Sequence, residues 1–460
     1  MKLTTTSLAT LSACDMADGY RNGDFSPTEV IEDVLQRTEA LDPAINAFIT
    51  IDADQARRQA VAWSAIPPSP AYPLAGVPVA IKDIIDVQGL PTTCHSAVMA
   101  GNIATRDAEV VGRLRAAGAI IIGKLATHEF ALGGPSFDLP FPPARNPWNT
   151  DHLPGGSSSG SAAAVAAGLV PFAVGTDTAG SIRFPAGACG IPGMKPTFGS
   201  VPCDGVFPLA WSLDHVGPLA RTSRDLDLAM QVMGAKNYRP TPLMLPEATT
   251  SQPLRGLRVG YIEHFHQQDL FASAEISEGL NQFAGRLTRL GATVEAVSLP
   301  PLQEFLAVNR VIMYSEAWAI HAKWMRERPE QYGKACRRSF MAGAFITNEQ
   351  YLRARRLQRL LAEQVNATFR QHDVLLAVNM HDTPARIDDE AEVRRTTARQ
   401  ARAVFSLTGH PAISLPAGLS AAGLPLSVQL AAPWHQDSRL IHLARVLETE
   451  SPWPSPSMTS

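Results

Sequence analysis

The chain has 460 residues, 45% hydrophobic and 18% charged, with 40 Lys plus Arg against 43 Asp plus Glu for a net charge of −3. Such apolar content excludes an intrinsically disordered chain. No run approaches the roughly 18 apolar residues of a membrane helix, and the near-neutral balance gives no electrostatic reason to expect nucleic acid or a membrane surface. At about 150 residues per domain the length allows three domains, although α/β enzymes of this size also fold as one body. The five cysteines (Cys14, Cys94, Cys189, Cys203 and Cys336) are widely spaced and form no C-x-x-C pair. Neither a zinc ribbon nor a disulfide framework is expected, and a reducing compartment fits. Hydroxyl residues at Thr4, Thr5, Thr6 and Ser7 interrupt the N-terminal run. A secretory signal is therefore not expected, and the cytoplasm is the expected location.

Ser26-Pro27-Thr28-Glu29 is a helix start, with a capping Ser26, Pro27 at the first helical position and Glu29 completing a capping box. Val30, Ile31, Val34 and Leu35 continue it as one apolar stripe. After the Pro-rich loop 66–70, Val77, Val79 and Ile81 alternate like a strand that runs into Lys82 and Asp83. A helical stretch at 107–117 and an apolar run at 119–122 follow. Helix and buried strand in repetition argue for α/β architecture.

Residues 155–199 are crowded with Gly, Ser and Ala and nearly free of charge. Pro240, Pro242, Pro246 and Pro253 then mark a long loop, read as a boundary. Beyond it, 257–262 reads as a strand. Ile276, Leu280, Phe283, Leu287 and Leu290 form an amphipathic helix closed by Gly291, and 293–297 returns as a strand. A later helix carries Leu357, Leu361, Val365 and Phe369, with a buried strand at 374–378. Residues 451–460, with three prolines, are expected to form a loose tail. The chain thus divides into an N-terminal helical segment (1–65), a Gly/Ser-rich core (66–235), a second half (254–450) and the tail.

Two small-residue loops stand out. Pro154-Gly155-Gly156-Ser157-Ser158-Ser159-Gly160-Ser161 is a flexible turn entering a helix of small residues, a geometry that aims backbone N–H groups into a site. A strand at 170–174 then opens into Gly175-Thr176-Asp177-Thr178-Ala179-Gly180-Ser181-Ile182-Arg183. There Ser181 is placed as a nucleophile and the N–H groups of Thr178, Ala179, Gly180 and Ser181 are placed to converge as an oxyanion hole. The bland alternative is that Gly/Ser loops are only loops and that Lys82 is a solvated strand end. A phosphate-binding loop is a poor match because no Gly-Lys-Ser/Thr follows. A rival is Gly156-Ser157-Ser158-Ser159-Gly160, which satisfies G-x-S-x-G with Ser158 central. That elbow must follow a buried strand, however, and residues 146–154, with two prolines, do not read as one.

The sequence resembles the amidase signature family. The resemblance is carried by Val79-Ala80-Ile81-Lys82-Asp83, by Gly155 to Ala163, by Gly175 to Ala186, by Cys189 to Thr197 and by Leu213 to Leu219. Gly409-His410-Pro411-Ala412-Ile413-Ser414-Leu415-Pro416 closes the pattern, so nearly the whole chain is covered. Ser159 and Ala179 stand where many members have glycine; both are small. The resemblance implies a single large domain, a central mixed twisted β-sheet covered by helices on both faces. It also implies a Ser–cisSer–Lys triad of Ser181 as nucleophile, Ser157 as bridging serine after a cis peptide, and Lys82 as base. The spacing of 24 residues from Ser157 to Ser181 agrees. Ser158 and Asp177 are expected to support the relay. The implied chemistry is hydrolysis of a C–N bond through an acyl-enzyme, with no cofactor and no metal.

Within the family, two classes need separating. One is a free-standing hydrolase of a neutral amide, anilide or carbamate (a urethanase). The other is the glutaminase subunit of a tRNA-dependent amidotransferase. A glutamine site needs a cation for the α-carboxylate and an acid for the α-ammonium. Arg337-Arg338 offers the cation, but residues 394–408 hold arginines and no acid. Arg353, Arg355, Arg356 and Arg359 suggest RNA, yet a solvated helix face accounts for them. The free-standing hydrolase is therefore the expectation, as a monomer or homodimer without nucleic-acid or membrane partners. Gly133 and Gly134, in Leu132-Gly133-Gly134-Pro135, and Phe207, with Leu209 and Trp211, are the expected pocket walls. No Lys or Arg stands out as placed for an anionic substrate, hence the expectation of a neutral one.

Overall fold

The computed structural model describes residues 7–234, 238 and 243–458. Pro240 and Pro242 of the expected boundary loop lie outside the described residues. The described residues form a single α/β domain around one mixed sheet of eleven strands. In chain order these are β1 (Phe48–Ile51), β2 (Pro78–Lys82), β3 (Ile120–Leu125), β4 (Phe172–Asp177), β5 (Gly193–Lys195), β6 (His215–Ala220), β7 (Arg258–Tyr261), β8 (Thr293–Ala296), β9 (Val374–Val378), β10 (Ala412–Leu419) and β11 (Pro425–Ala431). The spatial order is β1-β3-β2-β4-β6-β5-β10-β11-β9-β7-β8.

The expected helix start is present: Ser26 accepts from the Glu29 N–H, Glu29 reaches back to the Ser26 N–H, and Val30, Ile31, Val34 and Leu35 are buried. The first 65 residues are not only helical, because β1 pairs antiparallel with β3 and extends the central sheet. Val77, Val79 and Ile81 read as alternating, but every residue of β2 is buried. Helices cover both faces of a central parallel strand, so the polar-outward half of the alternation is lost. The tail is not loose throughout: Trp453 and Met458 pack against the core, and the Arg286 guanidinium lies 6.0 Å from the Trp453 ring.

Strands β2, β3 and β4 run parallel, with Val79 opposite Phe172 and Ile81 opposite Val174. Their carboxyl ends therefore reach the same edge, the usual place for a site in an α/β sheet. Lys82 ends β2 and Thr176-Asp177 end β4. Over that edge lies the helix Ser159–Ala166, buried along its whole length. Its small side chains allow close packing. A Cβ on Gly160 would stand 2.3 Å from the Ala47 carbonyl oxygen and 2.5 Å from the Ala126 nitrogen, so only glycine fits.

Candidate active site

Lys82 is fully buried. Its Nζ lies 2.7 Å from Ser157 Oγ, 3.0 Å from Ser158 Oγ and 2.8 Å from Thr176 Oγ1. The Ser158 hydroxyl donates to the Thr176 carbonyl at 3.1 Å and accepts from the Thr176 N–H at 3.2 Å. Its free lone pair thus faces Nζ. A neutral amine can then donate to Ser158 and Thr176 and turn its own lone pair toward the Ser157 hydroxyl. The polar groups hydrogen-bonded to the amine are hydroxyls, with no carboxylate among them. Burial pushes the Lys82 amine down to about 7, against the opposite pull of Asp177 and Asp214.

Ser157 follows a cis peptide from Gly156, and its carbonyl accepts from the His128 N–H at 3.1 Å. The His128 ring lies over Gly156, where a Cβ would come within 2.0 Å of Cε1. The Ser158 N–H donates to the Ser181 carbonyl at 3.2 Å, which ties the two small-residue loops together. Ser181 is half-buried, whereas Ser158 is fully buried. The G-x-S-x-G reading therefore fails on geometry. Ser158 follows a turn rather than a strand, and its hydroxyl is spent on Lys82 and the Thr176 backbone.

Asp177 does not touch the lysine. Its carboxylate accepts from the N–H groups of Gly180 at 2.7 Å and Ile182 at 3.2 Å, from Arg183 at 3.0 Å through two nitrogens, and from Ser406 Oγ at 2.8 Å. Burial alone would raise this carboxyl; Arg183 beside it holds it well below the usual range instead. Asp177 thus shapes the Thr178–Ser181 loop rather than the relay. The same bond corrects one oxyanion expectation: the Gly180 N–H is committed to Asp177 Oδ1, which leaves the amides of Thr178, Ala179 and Ser181. Asp177→Asn strands the buried Arg183 charge. It should destabilise the fold by about 3–5 kcal/mol in a urea titration; a loss under about 1 kcal/mol would contradict this reading.

Behind the loop, Thr178 Oγ1 donates to Asp214 at 2.6 Å, and the N–H groups of Leu209 and Ala210 donate to the other carboxylate oxygen at 3.0 Å. Burial raises Asp214 to about 6. A shallow recess opens here between Ile84, Ala131, Thr176, Phe207, Leu209 and Asp214. Phe207 and Leu209 thus fall where an apolar wall was expected, but Trp211 is 54% exposed and does not line the recess. Gly133 packs on the Cys336 backbone, and Gly134 borders a separate recess beside His95 and His128. Sequence reasoning missed Thr176 as the third hydroxyl on Lys82. Its signal was the end of a strand parallel to β2. It also missed Arg402, whose side chain packs against Gly180.

The family described as Amidase matches residues 29–441. The chain is 34% identical over 477 residues to a glutamyl-tRNA(Gln) amidotransferase subunit from Azotobacter vinelandii, covering 96% of this chain and 98% of that protein. Among solved structures, one from a vestigial protein complex bearing on the origins of an s-triazine catabolic enzyme is 32% identical. It has a TM-score of 0.85 over 98% of this chain and 100% of that one. A bacterial aryl acylamidase of the amidase signature family is 26% identical, with a TM-score of 0.85 over 97% of this chain and 98% of that one. The chain belongs to the amidase signature family and is a hydrolase acting on C–N bonds. No described helix is long and apolar enough to cross a membrane.

Proposed function

We propose that this chain cleaves a small amide, anilide or carbamate through a serine acyl-enzyme, with Ser181 as nucleophile, Ser157 as relay and Lys82 as base. The observation that carries this reading is the buried amine of Lys82, 2.7 Å from Ser157 Oγ with hydroxyls as its other hydrogen-bond partners. A serine hydroxyl needs a neighbouring base to attack, and a desolvated amine near neutrality is one. Ser181 attacks the carbonyl carbon and passes its proton to Ser157, which gives its own to Lys82. The oxyanion forms against the amides of Thr178, Ala179 and Ser181. The proton returns through Ser157 to the departing nitrogen, the C–N bond breaks, and water frees the acyl group by the reverse relay. Phe207 and Leu209, which border the recess beside this loop, are the candidate apolar wall for the substrate.

Similarity to the amidotransferase chain of Azotobacter vinelandii favours a second reading, a glutaminase that works beside a tRNA-binding partner. Against it, Arg338 is paired with Glu390, and Asp382, an acid upstream of the arginine-rich segment, is held by Arg395 and Arg399. Of the suspected RNA-binding cluster, Arg355 faces Glu316 at 3.9 Å and Arg359 pairs with Glu363 at 3.6 Å. The purified chain should therefore release amine or ammonia from at least one member of a panel of acetanilide, aliphatic amide, aryl carbamate, urea and glutamine, with nothing added. Inertness on the whole panel, with glutamine deamidated only once a tRNA-binding protein is supplied, would reverse the ranking.

A further inference from the structure

Arg402 lies 222 residues along the chain from Gly180, yet its side chain closes against it. A Cβ on Gly180 would stand 2.5 Å from Arg402 Cβ and 2.7 Å from both Cδ and Nε. Gly180 has φ +115°, a conformation that turns its open face to the arginine. The guanidinium lies 4.3 Å from the Phe184 ring centroid, and Nη1 donates to the Asn379 carbonyl at 2.6 Å. The residue is 3% exposed, and its Nε is buried without a partner. Asp177, the carboxylate that bears on it, is already paired with Arg183 at 3.0 Å, and no ion pair forms at Arg402 among the described residues.

A buried, unpaired guanidinium is costly and needs a reason. Lys82 is not in a position to be balanced by a carboxylate, since it must lose its charge to act. Arg402 is different: arginine keeps its charge in proteins, and its planar fork suits a carboxylate. Gly180 separates Ala179 and Ser181, the half-buried members of the loop, and adjacent Cα atoms are about 3.8 Å apart. An anion at Arg402 would thus sit a few bonds from a carbonyl on Ser181.

We propose that Arg402 is a specificity residue that binds a carboxylate on the substrate, so that the chain hydrolyses small amides carrying a carboxylate within a few bonds of the scissile carbonyl. The proposal rests on the amide-hydrolase reading above and replaces the neutral substrate expected from sequence. It supplies the charge that the local fold leaves uncompensated.

The test compares matched pairs of nearly equal size: malonamate against malonamide, and succinamate against succinamide. The wild-type chain should favour the carboxylate by about 100-fold in kcat/KM, mostly through KM. Free malonate should inhibit competitively. Arg402→Met, which keeps the stem and removes an unpaired charge, should lose that preference while leaving the neutral amide within about threefold and Tm unchanged or higher. Arg402→Lys should keep a weakened preference for the anion. Equal or better hydrolysis of the neutral partner by wild type would overturn the proposal. So would Arg402→Met lowering both substrates alike, since Arg402 would then only hold the loop. If neither substrate is cleaved, the panel above still decides the hydrolase reading, and calorimetry decides this one: malonate should bind wild type and not Arg402→Met, and its failure to bind wild type would refute the site.

Discussion

Ser181→Ala is expected to lower kcat by about 10⁴-fold or more with the fold intact, because a methyl cannot attack and members of a catalytic relay are lost as a unit. The side chain is half-buried, and the bond that ties its loop to the neighbouring one uses its carbonyl, which alanine keeps. Ser158→Ala should behave differently. Its hydroxyl holds Lys82 and the Thr176 backbone, so its loss loosens the base without removing the nucleophile. We expect residual activity within about 100-fold of wild type, since the net worth of such bonds is about 1 kcal/mol each and an unmet buried partner costs about 1–3 kcal/mol. Intact-mass and peptide mapping after a fluorophosphonate reagent should place the adduct on Ser181. Labelling of Ser158, with Ser181→Ala still active, would make Ser158 the nucleophile and refute the assignment.

The parts of the site legible in the sequence are those written locally. Lys82 ends an apolar run, and Ser157 and Ser181 sit in small-residue turns flanking a helix and a strand, so short-range composition marks all three. The same holds for β9, where an uninterrupted apolar run at 374–378 matches Val374–Val378. What was not legible depends on register and on distant packing. Thr176 reaches Lys82 because β2 and β4 are parallel neighbours with Ile81 opposite Val174, a pairing that no single strand announces. Gly180 loses its N–H to Asp177 through a turn of three residues whose side-chain direction composition does not specify. Arg402 is one arginine among several in its stretch of sequence, and nothing local sets it apart. Arg395 and Arg399 pair with Asp382, while Arg402 turns inward over Phe184. Trp211 shows the reverse error: a large apolar residue beside the signature invites a pocket role, but it faces solvent.

Activity should rise with pH through about 7 and level off above it. Lys82 must be neutral to accept a proton, and burial brings its amine from an ordinary 10.5 to about 7. Above that pH the base is free. Below it the amine is protonated, and kcat/KM should fall about tenfold for each further pH unit. Charging the amine in this site therefore costs on the order of 5 kcal/mol relative to water. Three histidines near the site, of the residue type that usually gives such a limb, are held neutral by their surroundings. Burial pushes His128 down to about 3 and His95 to about 4, and holds His215 well below its ordinary value, so all three stay neutral across the range. Two carboxyls are the real rivals. Burial raises Asp214 to about 6 and Glu129 to about 7. Asp214→Asn and Glu129→Gln should each leave the ascending limb in place, with its midpoint moved slightly lower for Asp214→Asn because that carboxylate pulls the Lys82 amine upward. Lys82→Ala should remove the rate and the limb together. Lys82→Arg should not restore either, because a guanidinium stays protonated. If Lys82→Ala kept the limb and most of the rate, or if Glu129→Gln abolished the limb while sparing the rate above it, the proton acceptor would have to be sought elsewhere than at Lys82.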